Sequence, residues 1–148
     1  MDKDELRNRT KQFALRVLRL CRTLPNTPDG RVIANQLLRS GTSAGANYRA
    51  VCRSRSKAEF ASRLAVVLEE ADESIFWLEL LAEGAVSESE LVAPLRAEAE
   101  ELVRIFGSAE RTARSQIPNP NSQIAYEAKF LSHNPRRRPR HSVLAVEP

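Results

Sequence analysis

The sequence contains few of the residues on which β folds and most active sites depend. Its 148 residues include only five Gly, two Cys and two His, and aromatic residues make up 5% of the chain. A β-sandwich or β-barrel shows short β-branched runs with regular turn signals, and such runs are missing here. Long stretches rich in Ala, Leu, Glu and Arg instead predict an all-α protein.

Long apolar runs are also missing. No uninterrupted run approaches the roughly 20 residues that a membrane-spanning helix needs. The charged segment at residues 1–11 lacks the apolar stretch of a signal peptide. We therefore expect a cytoplasmic protein.

Charge is present in quantity but is unevenly distributed. The formal net charge is +4. Residues 1–24 and 25–57 carry +4 and +5, residues 58–102 carry −10, and residues 103–148 carry +5. A basic half beside an acidic half favours binding of a polyanion on one face, or head-to-tail self-association between unlike faces.

Apolar residues recur at intervals of three and four, which predicts amphipathic helices. The first helix covers about residues 4–24. The second begins near Pro28, with Thr27 as its cap, and continues to about residue 53. Weak helix formers at residues 40–45 would end it by propensity alone, but small side chains there would let another backbone approach closely, so we expect the helix to continue.

Two capping boxes define the remaining helices. The third helix begins after the box that starts at Ser56. It ends at Gly84, which is expected to adopt a left-handed conformation. The fourth follows the box that starts at Ser87 and reaches about residue 114. Pro94 predicts either a kink or a restart of this helix with Pro94 in its first turn.

Four long helices with short connections predict an up-down-up-down four-helix bundle over residues 1–115. Residues 116–148 contain scattered prolines and a basic run at 136–140, and we expect them to form a disordered tail. The inner faces of the helices are predicted to include Phe13, Val17, Leu20, Val32, Ile33, Leu37, Leu64, Val67, Leu78, Leu91, Leu95, Leu102 and Phe106.

The chain has no recognisable catalytic, metal-binding or cofactor-binding constellation. An acidic helix in a four-helix bundle invites comparison with di-iron sites, but those need Glu-x-x-His pairs, and both histidines, His133 and His141, lie in the predicted tail. Ser54 and Lys57 have Ser-x-x-Lys spacing without the partner motifs of penicillin-recognising enzymes. Residues 41–45 lack the Gly-Lys-Ser/Thr ending of a phosphate-binding loop. We expect no enzymatic activity and no cofactor.

The basic residues are the best candidates for a binding function. Arginine side chains bind phosphate oxygens in a bidentate manner, so a basic face on the first two helices could bind nucleic acid. A solvated basic face without a ligand is the alternative interpretation. The candidate nucleic-acid-binding residues are Arg16, Arg19, Arg22, Arg39, Arg49, Arg53, Arg55 and Lys57.

Four segments carry a resemblance to a known bacterial family. They are residues 31–50 (RVIANQLLRSGTSAGANYRA), 55–60 (RSKAEF), 68–74 (LEEADES) and 77–81 (WLELL). In this order they resemble the four-helix-bundle proteins first known as 23S rRNA intervening-sequence proteins, and the resemblance covers about residues 5–114. It implies a four-helix protomer without enzymatic activity that assembles into a homopentamer.

The resemblance also implies an interface and possible partners. Close packing of protomers would favour small side chains on the second helix, so the predicted oligomer interface is Gly41, Ser43, Ala44, Gly45 and Asn47. A related branch comprises the accessory variability proteins of diversity-generating retroelements, which engage nucleic acid and a reverse transcriptase. Two hypotheses follow. The first is a homopentamer that binds structured nucleic acid, with RNA favoured. The second is a protein-interaction scaffold, either an accessory factor for such a reverse transcriptase or an oligomer whose acidic third helix docks a basic partner.

Overall fold

A computed structural model describes residues 2–87 and 89–118, which form four helices and, within those ranges, no strand. The helices are α1 (Lys3–Thr23), α2 (Pro28–Val51), α3 (Lys57–Glu83) and α4 (Ser89–Ser115). The all-α fold class is confirmed. Helix α2 also continues through residues 40–45, as predicted.

Short polar side chains cap the starts of three helices, where backbone N–H groups have no partner within the helix. Asp2 accepts a hydrogen bond from the Glu5 N–H at 2.8 Å. Thr27 accepts one from the Gly30 N–H at 3.2 Å, with Pro28 in the first turn. Ser56 accepts one from the Glu59 N–H at 3.1 Å. The predicted caps at Thr27 and Ser56 are confirmed.

The end of α3 differs from the prediction by one residue. Gly84 has φ −78°, and the left-handed residue is Ala85, with φ 53°. The Val86 N–H donates to the Leu81 carbonyl and the Ala85 N–H to the Ala82 carbonyl, which together form a Schellman motif with Ala85 at its left-handed position. The prediction assigned this position to the glycine because glycine tolerates it best, whereas the hydrogen bonds place it one residue later.

Helix α4 also differs from one of the two expectations for Pro94. The helix begins at Ser89, so Pro94 lies beyond its first turn and the helix continues through it. A restart at Pro94 is therefore wrong. Pro94 has no N–H to donate to the Glu90 carbonyl. Both residues are exposed, so this carbonyl can bond to water instead.

The core confirms the bundle arrangement. Each helix packs against the next along the chain, and α1 also packs against α4. The backbones of the diagonal pairs stay apart, while long side chains such as Tyr48 and Phe106 meet in the core. The largest fully buried side chains come from all four helices, among them Phe13, Leu37, Leu78 and Phe106. Two residues predicted to face inward are exposed instead, Val32 by 55% and Leu91 by 53%, because each lies at the edge of its helix's apolar face near one end of the bundle.

Small residues on α2 bring this helix close to α1. A Cβ atom on Gly41 would lie 2.8 Å from Val17 Cγ2, and one on Gly45 would lie 3.3 Å from the Thr10 carbonyl oxygen. On the other side of α2, the buried Ser40 and Ser74 hydroxyls hydrogen bond at 2.9 Å and link α2 to α3. The small side chains therefore act within one protomer.

None of the described helices contains a stretch apolar enough to cross a membrane. The predicted tail lies almost wholly outside the described residues, since residues 119–148 are not described. The division into a bundle at 1–115 and a tail at 116–148 stays a prediction.

Candidate nucleic-acid interface

An open groove of about 540 Å³ lies between the first half of α1 and the second half of α2. Its floor is made of small side chains at Ala14, Gly45 and Ala46. Arg7, Asn8, Lys11, Thr42 and Arg49 line it, together with Asp4. Below, "the α1/α2 groove" means this set.

The helical repeat explains why the groove is basic. Arg7 and Lys11 are one turn apart on α1, and Arg49 is one turn beyond Gly45 on α2, so the long basic side chains border the small ones. Arg7 forms a salt bridge with Asp4 at 2.9 Å. Lys11 and Arg49 form no salt bridge with any described acidic side chain, which leaves their charges available to a ligand.

Further basic residues adjoin the groove at the same end of the bundle. Arg53, Arg55 and Lys57 lie at the connection from α2 to α3, and in an up-down bundle this connection is at the end where α1 begins. All three are exposed. The same connection is fixed by Arg63, which donates a hydrogen bond to the Ala50 carbonyl at 3.1 Å.

Arg39 has acidic partners within the protomer. It forms a salt bridge with Glu70 at 3.3 Å and another with Glu73, both on α3. The hydrogen bond from Arg39, with a second from Trp77, lowers the pKa of Glu73. A phosphate at Arg39 would have to compete with two carboxylates.

The other three predicted arginines lie elsewhere. Arg16 and Arg19 line a smaller groove of about 230 Å³ between α1 and α4, together with Leu20, Thr23, Leu91 and Leu95. Arg22 is exposed near the end of α1. The eight predicted residues therefore do not form one continuous surface.

Sequence reasoning missed Arg7 and Lys11 as candidates. Their spacing of four residues indicated that both lie on one face of α1. Only the packing of α1 on α2 shows that this face borders Gly45 and Ala46. A one-dimensional pattern identifies a helix face, and the neighbouring helix decides what that face borders.

The predicted oligomer interface divides into two groups. Gly41, Ala44 and Gly45 are buried inside the protomer, where contacts with α1 account for the small size of the two glycines. Ser43 and Asn47 are half-buried, so they remain accessible to a neighbouring molecule.

Groups suited to metal or thiol chemistry are not assembled in the described residues. No cluster of three His, Cys, Asp or Glu side chains there is placed to hold a metal ion. Cys21 and Cys52 are both free thiols. Burial raises the pKa of Cys21 to about 11, so this thiol stays protonated and weakly nucleophilic at neutral pH.

Comparison with known proteins places these features in a family. Residues 3–108 match the family described as 23S rRNA-intervening sequence protein. A protein of unknown function from the S23 ribosomal protein family of Bacteroides thetaiotaomicron VPI-5482 has a similar structure, with a TM-score of 0.69 and 32% sequence identity over 75% of this chain and 99% of that one. No curated protein matches the chain significantly.

Proposed function

This chain belongs to the 23S rRNA-intervening sequence protein family, and from that premise we propose that it is a cytoplasmic, non-enzymatic homo-oligomer, a pentamer, that binds structured RNA. The binding surface is the α1/α2 groove together with Arg53, Arg55 and Lys57. The observation that carries the proposal is the groove itself, in which Arg7, Lys11 and Arg49 surround a floor of small side chains.

The geometry suits a phosphate backbone. Small floor residues let a sugar–phosphate chain approach the two helix backbones, and flexible basic side chains on both walls reach its oxygens. The lining residues carry three positive charges and one negative charge. Binding through phosphates is strongly dependent on salt and carries little sequence information.

Base stacking contributes little to this mode of binding. Tyr48, the aromatic residue within the basic stretch, is 5% exposed and packs on Phe106 with ring centroids 5.5 Å apart. It is therefore not available to stack on an unpaired base, the usual mode of single-strand recognition. We expect the shape of a structured RNA to be recognised in preference to its sequence.

A salt series with matched charge variants tests the proposal. The probes are a structured RNA hairpin, an unstructured RNA of equal length and a DNA duplex, measured by fluorescence anisotropy. In the variant Lys11→Glu/Arg49→Glu we expect hairpin affinity to fall at least tenfold and the slope of log affinity against log salt to decrease by about two, one for each lost phosphate contact.

The control variant Arg31→Glu/Arg104→Glu has the same change in charge. Both residues are exposed and lie outside the groove, so affinity should fall much less. No hairpin binding by the wild type at low salt would refute RNA binding. Equal losses in the two variants would show that net charge, and not the groove, attracts the RNA.

A protein-interaction scaffold is the second candidate, such as an accessory protein bound to a reverse transcriptase. It is favoured by the exposed apolar side chains of α3, where Phe76 is 50% and Leu80 37% exposed. The test measures binding between this purified protein and a purified reverse transcriptase whose gene lies beside the gene for this chain. Binding that Phe76→Ser abolishes would support this candidate.

A further inference from the structure

Two apolar surfaces remain uncovered on opposite sides of the protomer. One is the α1/α4 groove, in which Leu91 is 53% exposed beside the buried Leu20 and Leu95, and which Arg16 and Arg19 border. The other is the outer face of α3, where Phe76 and Leu80 are exposed. Because α1 and α4 are neighbours, as are α2 and α3, a groove between the first pair faces away from α3.

The two surfaces have opposite charge. Arg16 and Arg19, three residues apart, lie one turn before Leu20 and Thr23 along α1. Glu69 and Asp72, also three residues apart and both exposed, lie one to two turns before Phe76 along α3. None of these four charged side chains forms a salt bridge with a described residue. Each surface therefore presents a charged pair followed by an apolar site.

The two patterns also lie at the same height in the bundle. The close approach of Val17 to Gly41 fixes the register of α1 on α2, and the hydrogen bond between Ser40 and Ser74 fixes that of α2 on α3. Counting along the antiparallel helices from these contacts places Leu20 level with Phe76. The same count places Arg16 level with Asp72.

From this arrangement we propose that the outer face of α3 docks into the α1/α4 groove of a second copy of this chain. Phe76 and Leu80 cover the exposed Leu91 of the neighbouring copy, while Glu69 and Asp72 pair with its Arg16 and Arg19. Since α1 and α3 run in the same direction and the surfaces are level, copies add side by side without a shift along the helix axis.

Such an interface is head-to-tail, since two different surfaces of the protomer meet. Repeated contacts of this kind form a ring when the rotation between copies closes. The inference rests on the homo-oligomer of the proposed function and identifies its contact surfaces. It assigns Arg16 and Arg19 to assembly and leaves the α1/α2 groove open to RNA.

Charge reversal on both surfaces tests the pairing, with molar mass measured by sedimentation equilibrium. Variant one is Arg16→Glu/Arg19→Glu, variant two is Glu69→Arg/Asp72→Arg, and the third combines all four changes. We expect the wild type to be an oligomer, variants one and two to be largely monomeric, and the combined variant to recover the wild-type mass. Circular dichroism checks that every variant remains helical.

An apolar pair of variants tests the other half of the contact. Phe76→Glu should dissociate the oligomer, whereas Val66→Glu should not, because Val66 lies toward the opposite end of the bundle. Val66 is a matched control, since it is on the same helix and is similarly exposed, at 43%. A wild type that stays monomeric over the concentration series would overturn the proposal, as would an oligomer that withstands variants one and two. RNA binding is measured separately with the wild type, so a wild type that assembles as proposed but binds no hairpin at low salt contradicts the proposed RNA binding alone.

Discussion

At the scale of single residues, backbone conformation and close contacts decide more than residue type does. Ala85 holds the left-handed position at the end of α3 although its neighbour Gly84 tolerates that conformation better. An L-residue with a side chain is strained there by roughly 1–2 kcal/mol. The strain persists because the two Schellman hydrogen bonds to Leu81 and Ala82 fix the turn.

We expect Ala85→Gly to stabilise the protein by about 0.5–1 kcal/mol, because relief of the strain exceeds the extra entropy of glycine in the unfolded chain. Urea unfolding followed by circular dichroism measures the change. Ala58→Gly is the control, because Ala58 is an exposed residue with ordinary helical geometry in the first turn of α3, and it should destabilise the protein. A loss of stability in Ala85→Gly would contradict the assignment of the turn.

A second prediction at the scale of single residues concerns the close contact between Gly41 and Val17. A new Cβ would meet Val17 Cγ2 at 2.8 Å, and a β-branched side chain in a helix has few rotamers with which to yield. Overpacking costs roughly 1–3 kcal/mol and outweighs the ~1 kcal/mol gain in helix propensity, so Gly41→Ala should destabilise the protein by about 1 kcal/mol. In a double-mutant cycle with Val17→Ala we expect a favourable coupling above about 0.5 kcal/mol. Additive effects would show that the two residues do not compete for space.

At the scale of elements, the contact between α2 and α3 combines a buried serine pair with a surface ion pair. Arg39 lowers the pKa of Glu73 below its usual 4.5. A carboxylate with a lowered pKa stabilises the fold above its unfolded pKa, and this contribution is lost as the pH falls through the folded value. Because the side chains are substantially exposed, the pair is worth only roughly 0.2–1 kcal/mol.

We expect Glu73→Gln to lower stability at neutral pH by an amount in that range and to weaken the loss of stability between about pH 5 and pH 3, because the amide does not titrate. Urea midpoints across this pH range provide the measurement. Glu83→Gln is the control, since Glu83 is an exposed carboxylate on the same helix that pairs with no described residue, so this change should not lower stability at neutral pH. An unchanged acid dependence in Glu73→Gln would contradict a stabilising pair.

At the scale of the whole molecule, the two proposed surfaces are linked by geometry. Copies joined side by side all present the same bundle end in the same direction, so Arg53, Arg55 and Lys57 of every copy lie at one end of the assembly. Several equivalent binding sites on one assembly raise affinity for a long ligand by avidity. Affinity for a ligand that spans a single groove does not change.

We therefore expect the dissociating variant Phe76→Glu to lower affinity for a long structured RNA by at least about tenfold while leaving affinity for a short hairpin within about twofold. Anisotropy with the two RNAs measures both. Val66→Glu adds the same charge without disturbing the proposed contact and should preserve both affinities. Equal losses on the two RNAs would indicate that Phe76→Glu affects a single site directly.

The sequence by itself determined the four helices, the caps at Thr27 and Ser56, and the family. Helix periodicity and capping depend on neighbours within a few positions, so they can be derived from the chain alone. The left-handed residue was misplaced by one position because residue type favours Gly84, whereas the hydrogen bonds that close the turn assign the position to Ala85.

Only the tertiary structure decided which faces meet. It placed Arg7 and Lys11 beside Gly45 and paired Arg39 with Glu70 and Glu73. It also packed Gly41 and Gly45 against α1. It also left Val32 and Leu91 exposed at the edges of their helix faces. Positions far apart in the chain become neighbours only through packing, and the function of a charged side chain depends on which neighbour it meets.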